Sequence, residues 1–343
     1  MKISEIAQLA GVSIGTVDRV LHNRGRVAPQ TKAKIEKIIQ ESGYHTNIIA
    51  SNLKKGQSLK IGILIPFLNS EEGYWAKCYK GIKKSINEIS AFSVEIETRE
   101  FDRMLHGDLV EKGKQLIDAN VDVVAFAPVV QSESYQLITM LGDIPYAFFD
   151  SSLKSAHPIT ENLQDAYAAG YCAGKIMELL KPGKRTFVCL QMHKTAYNQQ
   201  RRAQGFCDYF QQKDSKVLLY TWSESIDDMF FAFIDSLINE IPDVDGLFMT
   251  NAATGILSDY LAKKLKNKLP SIVGFDLIGK NVEELKNGNI SSLISQQPDL
   301  QGYNTLNEIF RIMIMKQADT VPTSPIPISV IFKENIPSKT FNY

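Results

Sequence analysis

Apolar residues follow one pattern up to about residue 58 and a different pattern beyond it. Near the start of the chain they recur three and four positions apart, as Val17, Val20 and Leu21 do, which is the spacing of short amphipathic helices. From Leu59 onward, short continuous apolar runs alternate with longer amphipathic stretches. The change of pattern predicts a small all-α headpiece joined to an α/β body.

The headpiece pattern predicts three helices, over Ser4–Leu9, over Ile14–His22 and from Pro29 to Gly43. Gly11 permits a left-handed turn after the first helix, and Ser13 is a favourable N-cap for the second. Two short helices joined by a turn that contains glycine, the second displaying Arg19, are typical of a helix-turn-helix. A generic three-helix bundle with a basic surface is the alternative.

Strands and helices alternate throughout the body. The predicted strands are Leu59–Ile65, Val94–Arg99, Val121–Ala127, Pro145–Phe149, Thr186–Gln191, Val217–Thr221, Gly246–Thr250 and Ser271–Phe275. The predicted helices are Tyr74–Ile89, Leu109–Ala119, Ser132–Leu141, Asp165–Leu180, Gly205–Gln212, Asp227–Ile238, Gly255–Lys264 and Asn281–Lys286. Such alternation predicts parallel sheets with helices on both faces. Because it continues beyond the length of one doubly wound unit, two lobes are expected.

The charges of the 343 residues are divided unevenly between the headpiece and the body. The first 60 residues contain ten Lys and Arg against four Asp and Glu, whereas the remainder contains 28 against 34. A basic headpiece on an acidic body predicts a polyanionic partner for the headpiece alone. The four cysteines lack CxxC spacing, so a reduced protein without a zinc site is expected. With no apolar run long enough for a membrane span and no secretory leader, the sequence predicts a cytoplasmic location.

Residues 1–58 resemble the headpiece and hinge of the lactose-repressor (LacI/GalR) family of bacterial regulators. The matching residues are Ile6, Ala7, Ala10, Gly11, Val12, Ser13, Thr16, Val17, Arg19, Val20, Leu21, Val27, Thr31, Tyr44, Asn47, Ala50 and Leu53. The resemblance implies a helix-turn-helix domain over residues 1–46 and a hinge over 47–58. It also implies a double-stranded, pseudo-palindromic DNA operator and a homodimer, or a tetramer built from such dimers.

The resemblance assigns DNA contacts to the second helix and the hinge. Residues expected at the DNA are Ser13, Ile14, Gly15, Thr16, Asp18, Arg19, His22, Asn47, Ala50 and Leu53. Ile14, Gly15 and Arg19 would face base edges, whereas Ser13 and Thr16 would hold phosphates. Asn47 would contact the backbone, and Leu53 would wedge open a minor-groove step. Asp18 and His22 depart from the family pattern, which usually has serine and asparagine there.

The body resembles the sugar-binding periplasmic-protein fold, which is also the effector domain of that family. Polar residues follow several predicted strands, at the edge where ligands bind in such sheets. By resemblance the effector site is formed by Asn69, Tyr74, Trp75, Asp150, Arg202, Trp222, Asn251, Asp276 and Gln296. Carboxylates that accept from hydroxyls and an arginine that donates in a planar fork suit a polyol. The aromatic residues would provide stacking surfaces.

Each of these effector residues also has a purely structural interpretation. Asp276 could cap a helix, Arg202 could form an ordinary ion pair between lobes, and Tyr74 and Trp75 could belong to a helix core. Ser151, where pentose-binding relatives often have arginine, and Ala252, where aspartate is common, depart from the family pattern. The identity of the effector therefore stays open at this point, a non-sugar molecule included.

The body of the chain is predicted to span residues 59–343. Lobe one is expected over about 59–160 and 296–325, and lobe two over about 161–295 and 326–343.

An α/β sugar-processing enzyme is the principal alternative to a regulator. The sequence has no GxGxxG and no HExxH, and the segment Gly170–Ile176 only approximates a phosphate-binding loop. A transport-binding protein is disfavoured by the basic headpiece. We therefore predict a DNA-binding transcription regulator with no catalytic residues, no cofactor and no metal. Its operator affinity would be controlled by a sugar or sugar derivative bound between the lobes.

Overall fold

The computed structural model of the chain describes residues 3–21, 25, 27–42, 58–68, 73–90, 92–194, 196–317 and 325–337. The chain divides into two compact units, Met1–Gln57 and Ser58–Tyr343. Five of the predicted site residues lie outside the described ranges: His22, Asn47, Ala50, Leu53 and Asn69. Within the described ranges, no helix combines the length and apolarity that crossing a bilayer requires.

The described residues of the first unit form three helices, α1 (Ile3–Ala10), α2 (Ile14–Leu21) and α3 (Pro29–Ser42). Its core is a small apolar cluster contributed by all three helices: Ile6, Ala7, Ala10, Val17, Val20 and Ile35. Gly11 has a φ of +70°, so it provides the left-handed turn that the sequence predicts between α1 and α2.

The second unit begins with a parallel five-stranded sheet of strand order β2-β1-β3-β4-β5, which we call lobe one. Its strands are β1 (Leu59–Pro66), β2 (Val94–Phe101), β3 (Val123–Phe126), β4 (Tyr146–Phe149) and β5 (Thr160–Asn162). Helices α4 (Tyr74–Glu88), α5 (Asp108–Asp118) and α6 (Gln131–Leu141) connect the first four strands. Two apolar clusters lie on the two faces of this sheet, and both include residues of β1.

A six-stranded sheet of order β11-β10-β9-β8-β6-β7 forms lobe two. Its strands are β6 (Thr186–Met192), β7 (Lys216–Trp222), β8 (Gly246–Met249), β9 (Ser271–Phe275), β10 (Ser292–Ser295) and β11 (Ser329–Ile331). Its helices are α7 (Ala166–Leu180), α8 (Tyr197–Phe210), α9 (Asp228–Glu240), α10 (Thr254–Leu265) and α11 (Gly279–Lys286). Helix α12 (Pro298–Met313) returns to lobe one and packs against α4.

The prediction of a helical headpiece and an α/β body with parallel sheets is confirmed, but the observed elements differ from the predicted ones in several places, and strand β10 and helix α12 were not predicted. Helix α8 begins at Tyr197, whereas the sequence pattern placed its start at Gly205. Strand β5 was not predicted, and its pairing with β4 extends lobe one to residue 162. Strand β11 is antiparallel to β10, which makes it the exception in an otherwise parallel sheet.

Candidate functional site

The exposed face of α2 presents most of the residues that were predicted to read DNA. Val17 and Val20 are buried in the headpiece core, whereas Ile14, Gly15, Asp18 and Arg19 are exposed. Ile14 is 55% exposed and so lies on the surface of α2 together with Asp18 and Arg19. A Cβ at Gly15 would meet only Ser13 Oγ, at 3.9 Å, so a partner can approach this backbone closely.

Ser13 and Thr16 form the N-terminal turn of α2. The Ser13 hydroxyl accepts a hydrogen bond from the Thr16 amide at 3.2 Å and lies 3.0 Å from the Thr16 hydroxyl. This is the N-cap that the sequence predicts, and it brings two hydroxyls to the positive end of the helix dipole. The segment Gly11–Gly15 also has the GxSxG spacing found around the nucleophile of some hydrolases. There the motif connects a strand to a helix, whereas here it connects α1 to the first residues of α2, so it does not indicate a hydrolase.

In the body, five of the predicted effector residues form one hydrogen-bonded group, which we call the cleft cluster: Tyr74, Asp150, Arg202, Asp276 and Gln296. The Tyr74 hydroxyl donates to Asp150 Oδ1 at 2.5 Å and approaches Gln296 Oε1 at 3.5 Å. The Gln296 amide donates to both Asp276 oxygens, at 3.0 and 2.9 Å, and Gln296 Oε1 accepts from Arg202. The cluster therefore joins side chains of both lobes.

Asp150 and Asp276 occupy equivalent positions in the two lobes. Each directly follows a strand, β4 or β9, and each adopts a left-handed backbone conformation, with φ of +67° and +72°. Their amides donate to the neighbouring strands, to Asn162 O at 3.2 Å and to Ile294 O at 2.9 Å. Such a conformation is unfavourable for a residue with a side chain, and it often marks a functional position.

Burial governs the electrostatics of the cleft cluster. Asp150 and Asp276 are 8% and 3% exposed. Burial raises the pKa of Asp276 to about 6, although the Arg202 guanidinium and the Gln296 amide partly oppose the increase. Burial likewise raises the pKa of Asp150, against the hydrogen bond from Tyr74 and the charge of Arg202. The cluster thus holds carboxyl groups that lack most of the solvation their charged forms need.

Arg202 is placed by the packing of α8 against α7. Its guanidinium donates to Thr250 O at 2.8 Å and lies over the Phe275 ring, 3.9 Å from the ring centre. Its buried Nε has no hydrogen-bond partner among the described residues. A buried guanidinium with one donor unused, beside two carboxyl groups, is well suited to a neutral ligand that both accepts and donates hydrogen bonds.

Two other predicted residues, Trp75 and Asn251, are not hydrogen-bonded members of the cleft cluster. The Trp75 ring meets Tyr74 edge-on, at 4.9 Å between centres, and packs on the lobe-one core. Asn251 follows Thr250, and its side chain accepts from the Ala253 amide at 3.0 Å.

The structure does not bring Trp222 to the cleft cluster. This side chain stacks on Phe233 of α9, at 5.2 Å between ring centres, and its indole donates to Ser225 O at 3.0 Å. It ends β7, the edge strand, three strand spacings from β9, which corresponds to about 14 Å. Trp222 therefore packs in the lobe-two core.

Two residues of the site were not identified from the sequence. Asn198 of lobe two donates to the Asp150 carbonyl of lobe one at 2.8 Å. The fully buried Gln301 of α12 accepts from the Asp150 amide at 2.8 Å and donates to Gln296 O at 2.8 Å. A usable signal existed for Asn198, because it lies four residues before Arg202 and so on the same helix face. Gln301 is a polar residue on the buried face of α12, which also contains Thr305, so its signal in the sequence is weaker.

The geometry does not support the purely structural interpretations of Arg202 and Asp276. Arg202 pairs with an amide and a carbonyl rather than with a single carboxylate, and Asp276 caps no helix, since α11 begins at Gly279 behind an Ile278 N-cap. The segment Gly170–Ile176 lies inside α7, not in a phosphate-binding loop. Among the described residues, no group of three His, Cys, Asp or Glu side chains is arranged to hold a metal ion.

Two family models match the chain. Residues 2–47 match the bacterial regulatory proteins of the lacI family, and residues 61–317 match a periplasmic binding protein domain. The second match alone covers most of the chain.

Similar proteins include regulators and sugar-binding proteins. The chain is 25% identical to the sucrose operon repressor of Lactococcus lactis over 321 residues, which cover 93% of this chain and 94% of the repressor. A structure from Bacteroides fragilis, described as a LacI transcriptional regulator, superposes with a TM-score of 0.74 at 28% identity, covering 81% of this chain and 98% of that one. A glucose-galactose binding protein of Geobacillus stearothermophilus superposes with a TM-score of 0.73 at 21% identity, covering 82% of this chain and all of its own.

Proposed function

The chain belongs to the lacI family of bacterial regulatory proteins and has a periplasmic-binding-protein body, and we propose that it is a repressor whose operator affinity is controlled by a sugar or sugar derivative. It is a DNA-binding transcriptional regulator rather than an enzyme, as its relatives are. The observation that supports a sugar best is the cleft cluster, in which two buried carboxyl groups and one guanidinium lie within one hydrogen-bonded group.

The effector would bind at the cleft cluster. Asp150 and Asp276 would accept from adjacent hydroxyls, and Arg202 would donate through its unused Nε–H. Trp75 and Asn251 would line the same cleft. Trp222 would not contact the effector, because its contacts are in the lobe-two core.

DNA recognition is proposed for the exposed face of α2. Ile14, Gly15 and Arg19 would contact base edges in the major groove, and Ser13 and Thr16 would contact phosphates. One short helix reads too few base pairs for selectivity, so two copies would bind half-sites about one helical turn apart. The proposed location is the cytoplasm, where the DNA is.

A thermal-shift screen tests the class of effector. The panel comprises sucrose, maltose, D-glucose, D-galactose, D-arabinose, gluconate and glucose 6-phosphate, with amino acids and nucleobases as the comparison group. A ligand at one hundred times its Kd stabilises the protein by about 2.7 kcal/mol. We expect at least one sugar to raise the Tm of the wild type but not of Arg202→Ala. Stabilisation by the comparison group alone would contradict a sugar effector.

A further inference from the structure

Arg103, which was not predicted as a site residue, lies at the edge of lobe one where Asp150 also lies. Strand β2 ends at Phe101, two residues before Arg103, and strand β4 ends immediately before Asp150. The strands of this sheet are parallel, so both residues follow strand ends at the same edge, where ligands bind in such sheets. Although β2 is an edge strand, Arg103 lies on the loop beyond it, whereas Trp222 lies within the edge strand β7.

The loop between β2 and α5, which contains Arg103, is held by buried carboxylates at both of its ends. The Asp108 carboxylate accepts a hydrogen bond from the Asp102 amide at 2.7 Å. The carboxylate of Glu133, on α6, accepts from the Gly107 amide at 2.7 Å. The backbone of Arg103, which lies between these two bonds, is therefore fixed before any ligand binds.

The side chain of Arg103 is accessible to solvent although protein atoms surround it. Arg103 is an exposed residue, yet partial burial lowers the pKa of its guanidinium, against the charges of Asp150 and Asp102. A side chain that is both accessible and partly desolvated lines a concave surface. It forms no hydrogen bond or ion pair with any of the residues that the structure describes. Its N–H donors are thus available to a ligand.

The charge of Arg103 acts on groups of both lobes. Burial raises the pKa of Asp150, and the Arg103 charge is one of the groups that oppose this increase. Burial lowers the pKa of His193, which directly follows β6 of lobe two, and the Arg103 charge lowers it further. Charges that influence each other in this way lie within roughly 10 Å, the Debye length at 0.1 M ionic strength. Arg103 therefore lies at the cleft.

Two other cations of the cleft are already engaged by the protein. Arg202 donates to Gln296 within the cleft cluster, and Lys77, on α4, donates to Leu277 O of lobe two. Arg103 differs from both, because none of its donors is used by a described residue. A charged group that is partly desolvated without a partner is unfavourable, and a bound anion would compensate for this.

We propose that the effector is an anionic sugar derivative, with a phosphate or carboxylate group that Arg103 binds while the cleft cluster binds the hydroxyl groups. A guanidinium can donate two parallel hydrogen bonds to either kind of anion. The neutral part of the ligand would contact Asp150, Asp276 and Arg202, as described above. That the anion is carried by a sugar rests on the function proposed above, but the assignment of an anion to Arg103 does not.

Matched neutral and anionic ligands test this class on the full-length protein. The sets are D-glucose with glucose 6-phosphate and gluconate, D-arabinose with arabinose 5-phosphate, and D-galactose with galacturonate. Citrate and 3-phosphoglycerate are the anions that are not sugars. Thermal shift ranks the compounds, and calorimetry gives each Kd. We expect the anionic member of at least one set to bind at least about tenfold more tightly than its neutral parent, because hydrogen bonds between charged groups are the stronger ones.

Substitutions of Arg103 test the residue itself. In Arg103→Gln, the affinity for that anionic ligand should fall at least about tenfold, whereas the affinity for its neutral parent should change less than about twofold. Arg103→Lys keeps the charge but loses the planar fork, so its affinity should lie between these values. Arg99→Gln is the matched control, because Arg99 lies on β2 and its guanidinium is bound to Glu97 at 3.1 Å. This variant should keep the wild-type affinities.

A measurement without ligand tests where Arg103 lies. In Arg103→Gln, the pKa of His193 should rise toward its ordinary value, because a positive charge that lowers it is absent. Arg99→Gln should leave this pKa unchanged. Proton NMR of the histidine rings across the pH range measures it, and His193→Gln assigns the resonance. An unchanged His193 pKa in Arg103→Gln would contradict the position of Arg103 at the cleft.

The outcomes separate the anion from the sugar. If only neutral sugars bind, or if Arg103→Gln or Arg99→Gln affects the anionic ligand no differently from the other, the role of Arg103 is refuted and a sugar effector stands. If citrate or 3-phosphoglycerate binds through Arg103 and no sugar does, the sugar effector is refuted and the anion site stands. If no compound of either kind binds, both proposals are overturned.

Discussion

Asp276 is a carboxyl group that folding transfers from water into a nearly closed environment, 3% exposed and beside a second buried carboxyl. Its chemistry depends on which protonation state the surroundings favour. Burial raises its pKa from an ordinary 3.8 to about 6, so the neutral form is favoured in mildly acidic solution. A hydroxyl-bearing ligand that donates to this group would favour the charged form instead.

The raised pKa of Asp276 predicts a stability that decreases as the pH rises. Below about pH 4 the Asp276 carboxyl makes its full contribution to the free energy of unfolding, which is about 3 kcal/mol. This contribution is lost as the pH rises through about 6. Asp276→Asn should remove this part of the pH dependence. Urea unfolding followed by tryptophan fluorescence measures it, because Trp75 and Trp222 both belong to the body. If the free energy of unfolding of the wild type minus that of Asp276→Asn stays constant or increases between pH 4 and 8, Asp276 does not lie in the buried environment described here.

The positions of single residues could be predicted where the sequence pattern marks the end of a strand. They could not be predicted where they depend on the order of the strands in the sheet or on contacts between distant parts of the chain. Asp150 and Asp276 follow buried strands in the sequence, so their shared position could be inferred. Trp222 also lies at the end of a strand, but the sequence does not reveal that β7 is the edge strand of its sheet. Gln301 accepts from the amide of Asp150, which lies 151 residues away in the sequence, and no local pattern encodes that contact.

Helices α7 and α8 approach each other unusually closely, and glycines make this possible. A Cβ at Gly170 would lie 2.0 Å from the Arg202 carbonyl oxygen, and one at Gly205 would lie 2.1 Å from Tyr167 O. Both obstacles are backbone atoms, which cannot rotate away. The glycines of α7 therefore have a packing role that places Arg202, instead of the phosphate-binding role that their spacing first suggests.

Gly170→Ala should force α7 and α8 apart and displace Arg202. We expect a loss of about 1–3 kcal/mol of body stability, typical of overpacking, together with weaker binding of whichever sugar stabilises the wild type. Gly62→Ala is the graded control, because its Cβ would meet only side-chain atoms, Leu116 Cδ1 at 3.2 Å and Val121 Cγ2 at 3.3 Å. Thermal unfolding measures the loss of stability in each variant, and the sugar-induced Tm shift measures the loss of sugar binding. If Gly170→Ala lost no more than Gly62→Ala on either measure, the packing explanation would be wrong.

The start of α8 shows why some element boundaries could not be read from the sequence. The residues from Tyr197 to Gln204 are mostly polar, and the apolar pattern of the helix begins only at Gly205. The first turns instead contribute Asn198 and Arg202 to the contact between lobes. A helix end that supplies polar groups to a site loses the amphipathic pattern by which helices are recognised.

At the scale of the whole chain, the surfaces proposed for the two functions of this regulator lie in separate compact units. The exposed face of α2 belongs to the first unit, and the cleft cluster belongs to the second. The excess of basic residues near the start and of acidic residues beyond agrees with a polyanion partner for the first unit only. A ligand can change operator affinity only by its different affinity for two arrangements of the body, and the coupling must be reciprocal.

The central claim is that effector binding and DNA binding use separate residues but are coupled. The direct measurement is a titration of an operator fragment, selected by the wild type from random DNA, with and without the sugar that stabilises it most. Arg202→Ala should bind the operator as the wild type does and lose the response to the sugar. Arg19→Ala should lose about 1–3 kcal/mol of operator affinity and keep the sugar-induced Tm shift. The account would be contradicted if Arg202→Ala still responded to the sugar as the wild type does, or if Arg19→Ala bound the operator unchanged.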